Sequence, residues 1–298
     1  MPLNSKSSNV HAMTIDVEDY FQVSAFENVI AKPEWNKLPL RVEINTHRLL
    51  DLFSEHDIKA TFFTLGWVAR RCTGLINRIV KEGHELACHG YAHGRATEQT
   101  PDEFRADVAR SKNLLEDISG CAVLGYRAPS FSVNDSNTWV FDELKALGFS
   151  YSSSTYPVKH DLYGVPHWPR FTYKLDNGLI EVPMTTLKIA NKTIPIAGGG
   201  YFRLYPYRFS HFLLQRFQST EQRSGMFYMH PWEIDPQQPR LRGIPAKSAF
   251  RHYLNLSRQL ERLTRLIEDF CWGRMDEVFV RPMQESTGTE DGERRLAS

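Results

Sequence analysis

Residues 58–88, IKATFFTLGWVARRCTGLINRIVKEGHELAC, decide the fold. Ile58–Leu65, rich in Thr and Phe, reads as a strand. Ile76, Ile79 and Val80 then recur at helical spacing as far as Gly83, and Leu86–Cys88 starts another strand that ends at a histidine. The alternation extends in both directions. Upstream, His11–Val17 is strand-like, and Arg41–His56 sets Ile44, Leu49, Leu52, Phe53 and His56 at roughly helical spacing. Downstream, Thr100-Pro-Asp-Glu103 is a helix start with a Thr cap, Pro at the first helical position and Glu three residues after the cap. That helix carries Phe104, Val108, Leu115 and Ile118 inward and stops at Gly120.

Strands are expected at Val123–Tyr126, Phe149–Ser152, Leu179–Pro183 and Gly225–His230, and helices at Ser136–Leu147 and Pro206–Phe217. A loop rich in Pro, His and aromatics runs from Thr155 to Lys174. Alternation over about 220 residues predicts an α/β fold on a parallel sheet, open or closed into a barrel. After Pro239 the pattern changes, and Phe250–Phe270 reads as one long amphipathic helix striped by Tyr253, Leu254, Leu260, Leu263, Ile267 and Phe270. The expected division is an N-terminal segment 1–11, a main domain 12–239, a helical extension 240–284 and a disordered polar tail 285–298.

A chain of 298 residues is near the upper limit for one hydrophobic core. Thirty-six basic and 35 acidic side chains give a net charge of +1, which offers no support for a nucleic-acid-binding face. No apolar run reaches the length of a membrane-spanning helix. Cys72, Cys88, Cys121 and Cys271 stand far apart without a C-x-x-C pair, and the first residues lack the apolar core of a secretory signal, so a soluble cytoplasmic protein is expected.

Functional groups of parallel α/β folds gather at the carboxyl ends of strands. Three polar clusters stand there. Asp16-Val-Glu18-Asp19 puts three carboxylates within four residues, which repel unless a cation or basic partner is near; a solvated turn gives the same pattern. In His89-Gly-Tyr-Ala-His93 the histidines are four apart, as on one face of a helical turn, so both imidazoles reach one metal ion. Chance also produces this spacing, but beside an acidic strand end it describes an open, catalytic coordination set. His230 ends the FYMH strand, either as a general acid or as a hydrogen-bonded strand terminus. Arg127, in RAPSF, is either a surface ion-pair partner or the fixed charge that keeps a catalytic Asp ionised. Strand alternation puts Asp16 and Glu18 on one side and Asp19 on the other, favouring Glu18 over Asp19 as the metal carboxylate unless the chain turns at Val17.

In this order, TIDVED (14–19), HGYAH (89–93), RAPSF (127–131) and FYMH (227–230) resemble the NodB-homology polysaccharide deacetylases of carbohydrate esterase family 4. DVEDYFQVSAFE (16–27), AGGGYFRLYPY (197–207) and MHPWEIDPQQPR (229–240) are similar to a bacterial branch associated with exosortase and exopolysaccharide clusters. The resemblance implies a distorted (β/α) barrel of about seven strands. It implies Asp16 as general base, Arg127 as its orienting partner and His230 as general acid. His89 and His93 would hold one divalent metal, zinc first and cobalt or nickel as alternatives, with Glu18 or Asp19 as the carboxylate. The substrate would be an N-acetylated glycan or glycan precursor, met by Ser130 (a backbone N–H for the oxyanion), Phe131, Tyr201 and Trp232. Loop aromatics including Tyr156, Tyr163, Trp168 and Phe202 read equally as sugar platforms and as packing residues. Three departures stand out: Asp-x-Glu-Asp replaces adjacent aspartates, Gly90 stands where Ser or Thr is common, and Tyr151–Thr155 offers no Asp to support His230, a place that His160 or Asp161 would have to fill. A small-amide hydrolase of the allantoinase-like branch and a catalytically silent glycan-binding module are the competing readings.

Overall fold

Alternation along the first strand, β1 (Val10–Val17), sorts its side chains into two environments. Met13, Ile15 and Val17 belong to the apolar layer shared with the outer helices. Ala12 belongs to a separate inner cluster with Phe63, Ala87, Tyr151 and Met226, and Thr14 and Asp16 follow it on that side of the strand. The first strand therefore delivers a carboxylate to the inside of a curved sheet.

The computed structural model describes residues 9–160, 163–190 and 192–285. After β1 come α1 (Val42–Glu55), β2 (Thr61–Thr64), α2 (Gly66–Ala69), α3 (Thr73–Lys81), β3 (Glu85–Cys88), α4 (Pro101–Ser119), β4 (Gly125–Tyr126), α5 (Val140–Ala146) and β5 (Tyr151–Ser152). The second half holds β6 (Tyr173–Lys174), β7 (Ile180–Glu181), the hairpin β8 (Thr186–Ile189) and β9 (Lys192–Pro195), α6 (Gly199–Leu204), α7 (Tyr207–Glu221) and β10 (Met226–Met229). It closes with α8 (Ala246–Tyr253), α9 (Leu256–Asp269) and β11 (Cys271–Gly273).

The main sheet runs β10-β1-β2-β3-β4-β5-β7-β6, with β11 also pairing with β1. All of these neighbours are parallel except β6 on β7. The sheet curls into a half-barrel, the α/β architecture the alternation predicts. Outside it, α4 and α5 cover β3 and β4 through Phe104, Val108, Val140 and Leu144.

The C-terminal region departs from the expected single helix. The chain breaks into α8 and α9 at Asn255, whose φ of 54° is left-handed, a conformation Asn tolerates better than most residues. The apolar stripe continues across this elbow, so periodicity alone does not reveal it. Beyond α9, β11 joins the sheet beside β1, with Val10 opposite Cys271 and Ala12 opposite Gly273. A three-residue strand, CWG, has no periodicity to announce it. The expected disordered tail lies, after residue 285, outside the described residues. Among the described residues, no helix is long and apolar enough to cross a membrane.

The α4 start is the expected capping box: the Thr100 hydroxyl accepts from Glu103 N–H (3.3 Å) and the Glu103 carboxylate accepts from Thr100 N–H (2.8 Å). Thr100→Ala is expected to lower unfolding free energy by about 1 kcal/mol, read as a shifted urea midpoint with unchanged slope.

Candidate functional site

Arg127 follows β4 and is fully buried inside the half-barrel. Its Nη1 donates to Asp16 Oδ1 (2.6 Å) and Thr14 Oγ1 (2.9 Å), and its Nε and Nη2 donate to the carbonyl and hydroxyl of Ser153 (3.3 and 3.2 Å). The guanidinium lies 4.0 Å over the Phe63 ring. The serine run after Tyr151 thus holds the arginine. Glu181 fixes that run in turn by accepting the N–H groups of Ser154 and Thr155, each at 2.9 Å.

β1 ends at Val17, and Glu18 N–H turns back to the Asp16 carbonyl (3.0 Å). Strand geometry therefore does not persist through residue 18, as the preference for Glu18 assumed. Glu18 nevertheless points at the histidines, and Asp19 points away. Asp19 Oδ1 accepts Tyr20 N–H (2.9 Å), and its Oδ2 accepts the N–H groups of Arg41 and Val42 (2.7 and 2.9 Å). Both oxygens are spent on backbone donors, chiefly the amides that open α1 and have no partner within the helix, so Asp19 is not beside the histidines as a ligand would be.

The segment His89–His93 is a loop, not the helical turn expected from its spacing. Gly90 and His93 both have positive φ (74° and 51°). A Cβ on Gly90 would stand 3.0 Å from Asp107 Oδ2, which itself accepts Tyr91 N–H at 2.8 Å. Ser111 Oγ donates to the Gly90 carbonyl (2.9 Å). Asp107 and Ser111 on α4 thus fix the loop in place of the missing side-chain hydroxyl.

His89 Nδ1 lies 2.8 Å from the Arg127 carbonyl. A carbonyl only accepts, so Nδ1 carries the proton and Nε2 presents its lone pair. Burial lowers the His89 pKa to about 4, leaving a neutral imidazole. One donor atom each from Glu18, His89 and His93 lie within 4.8 Å of one another, a set that fits a metal ion. A second observation agrees: Glu18 Oε2 is buried without a hydrogen bond, although His93 Nε2 is 2.9 Å away. The two atoms are close but not aligned as donor and acceptor, as expected of groups directed at a shared cation. Burial would raise the Glu18 pKa, but His93 and His230 hold it well below the usual carboxylate range.

His230 follows β10 with Nε2 3.0 Å from Glu18 Oε1. Its Nδ1 lies 2.8 Å from Glu233 Oε1, which also accepts the His230 backbone N–H (3.0 Å). Burial opposes charge on His230, but Glu18 and Glu233 outweigh it and raise its pKa to about 10. Glu233 is itself buried against Arg203, whose Nε donates at 2.7 Å. Arg203 and His230 overcome desolvation and lower the Glu233 pKa to about 2. The group on His230 is therefore Glu233. His160 instead stacks on Tyr163 (4.0 Å), and Asp161 lies outside the described residues. Sequence reasoning missed Glu233 and Arg203, although Glu233 stands in the quoted MHPWE and Arg203 in AGGGYFR.

Two expected substrate contacts are buried. Trp232 is 5% exposed and lies parallel to His230 and His252, with centroids 5.2 and 4.1 Å away. Phe131 is 6% exposed and packed edge-on against Tyr156, Tyr163 and Tyr228. Both are packed among neighbouring rings. Ser130 has a left-handed backbone (φ 57°) and its hydroxyl is hydrogen-bonded to Ser24. Tyr201 is half-buried and stacks on Tyr205.

Residues 35–152 match the polysaccharide deacetylase family model, and residues 153–280 match a domain of unknown function, DUF3473. Residues 35–152 thus carry a polysaccharide deacetylase domain of the NodB, carbohydrate esterase 4 type. The chain is 33% identical over 84 residues to a peptidoglycan-N-acetylglucosamine deacetylase of Bacillus cereus, covering 28% of this chain and 30% of that one. It is 28% identical over 137 residues to a peptidoglycan deacetylase of Helicobacter pylori, covering 45% and 46%. The chain thus spans less than half the length of these relatives. A solved structure from Mycobacterium smegmatis, assigned to the polysaccharide deacetylases, superposes with a TM-score of 0.57 over 93% of this chain and 91% of its own, at 20% identity, and shares the fold. His89, His93 and Arg127 fall in the first matched region and His230 in the second, while Asp16 and Glu18 precede both.

Arg127→Met removes one partner of a buried ion pair and strands Asp16. It is expected to cost about 3–5 kcal/mol in unfolding free energy, measured by denaturant titration.

Proposed function

We propose that this chain is a metal-dependent N-deacetylase that hydrolyses the acetamide of an N-acetylated amino sugar in an exopolysaccharide or its precursor. The observation that carries the reading is the convergence of the Glu18–His89–His93 set, the Asp16–Arg127 pair and His230 at one end of the sheet. The deacetylase domain and the deacetylases among its relatives support the reaction class. The exopolysaccharide assignment rests on the resemblance carried by AGGGYFRLYPY and MHPWEIDPQQPR.

Glu18, His89 and His93 would hold one divalent ion, zinc first, with cobalt or nickel as substitutes. When bound, such an ion makes a water more acidic and polarises an amide carbonyl. Arg127 holds Asp16 in place, and Asp16 accepts the proton of the attacking water as the new C–O bond forms. A backbone N–H near Ser130 supports the oxyanion, and Tyr201 flanks the sugar. His230 gives its Nε2 proton to the nitrogen as the C–N bond breaks, releasing acetate and a free amine.

The test is acetate release from N-acetylated oligosaccharides, abolished by chelation and restored by zinc, cobalt or nickel. Full turnover in thoroughly demetallated protein would overturn the metal assignment. His230→Ala is expected to reduce turnover by roughly 10²–10⁴-fold while metal content stays near wild type. Calorimetric titration with zinc should show a large affinity loss for Glu18→Gln. Asp19→Asn, by contrast, should bind zinc nearly normally and unfold at lower temperature.

A further inference from the structure

The residues behind His230 belong to the region of unknown function and to its C-terminal helices. Glu233 Oε1 receives His230 Nδ1, and Glu233 Oε2 receives Arg203 Nε at 2.7 Å. Arg203 is 2% exposed, and its position is fixed from the far side. Its Nη1 donates to the carbonyls of Arg251 (3.0 Å), His252 (2.8 Å) and Leu254 (3.0 Å), groups at the end of α8 and the elbow beyond it. The carbonyls at a helix C-terminus lack partners in their own helix and carry partial negative charge, so one guanidinium satisfies several of them.

The grip is reciprocal. Asn255, the left-handed residue of the elbow, donates Nδ2 to the Arg203 carbonyl (2.8 Å). Arg262 on α9 donates to the carbonyls of Phe202, Arg203 and Tyr205 (3.1, 3.0 and 3.1 Å), which close α6. A third contact comes from His252, whose ring stacks on Trp232, the residue before Glu233. Gly199 completes the fit, because a Cβ there would fall 2.3 Å from Glu233 Oε1.

We infer that Arg203, held by the elbow between α8 and α9, is a positioning residue for the general acid, and that the C-terminal helices are a working part of the catalytic centre. The inference rests on the reading of His230 as the general acid. Arg203 contacts neither the metal set nor the reacting atoms. Its effect passes through Glu233, which fixes the ring orientation and tautomer of His230.

The experiment compares Arg203→Met, which keeps side-chain length without charge, and Arg203→Lys, which keeps charge without the planar fork. Three readouts are taken: steady-state acetate release, zinc content, and the imidazole N–H proton shared between His230 and Glu233 in proton NMR of the metal-free protein. Its resonance is assigned by its loss in Glu233→Gln. Arg203→Met is expected to lower kcat by about 10–100-fold with KM and zinc content nearly unchanged, and Arg203→Lys to restore part of it. The shared-proton signal should vanish or move in Arg203→Met and return in Arg203→Lys. Should Arg203→Met fail to fold, Arg203→Lys carries the same readouts with a smaller expected loss. A folded Arg203→Met with kcat within twofold of wild type, or with an unmoved proton signal, overturns the inference, as does an Arg203→Lys with wild-type kcat where Arg203→Met does not fold. If wild type releases no acetate at all, the functional reading fails, while the proton signal still decides whether Arg203 holds the pair.

Discussion

A guanidinium in the middle of a protein is tolerated only if its donors are satisfied and its charge is met. Arg127 meets both conditions with Asp16, Thr14 and Ser153, and it lays its plane over Phe63. Much of the site's geometry follows from this demand. β1 must present Thr14 and Asp16 inward, and the strand after α5 must end in small hydroxyl residues. Arg127 also uses its backbone carbonyl to fix His89, so one residue sets both the carboxylate and the first imidazole. Displacing it would disturb two functional groups together.

The other half of the site is built by alternation of charge. Glu18, His230, Glu233 and Arg203 follow one another through contacts of 3.0, 2.8 and 2.7 Å, nearly all of it buried. Each member has an opposite charge beside it, and this is what makes desolvation of four ionisable groups bearable. Glu18 belongs to both halves, touching His93 at one oxygen and His230 at the other. A cation between Glu18 and the two histidines would compete with His230 for that carboxylate, which would couple the two electrostatically.

Much of this was legible in the sequence, and the failures have physical causes. The strand–helix alternation rests on apolar periodicity, which burial in a two-layer α/β fold enforces, and the Thr100 cap is a local device that tertiary contacts leave alone. Asp16, His89, Arg127 and His230 were identifiable because each ends a strand in a short motif. The separation of Glu18 from Asp19 was argued from alternation, but the chain turns after Val17, and the actual cause is that α1 needs its opening amides capped. The loop at His89–His93 looked helical by spacing because spacing carries no sign of φ. Glu233 went unnoticed because its partner Arg203 is distant in sequence, and such pairing has no periodic signature. Trp232 read equally as sugar platform and packing residue, and Phe131 as a substrate contact; burial of side chains brought together from distant segments has no signature in the sequence.

The pairing of β11 with β1 gives the chain an order of events. Val10–Ala12 lie against Cys271–Gly273, so the first described strand and the last are neighbours. During synthesis β1 emerges well before β11, so that part of its ladder stays open until residues 271–273 follow. Contacts this distant in sequence are formed late, because the intervening loop must be ordered first. The strand that waits carries Asp16 and leads directly into Glu18. A chain halted before residue 271 therefore lacks a finished ladder beside the strand that leads into Asp16 and Glu18.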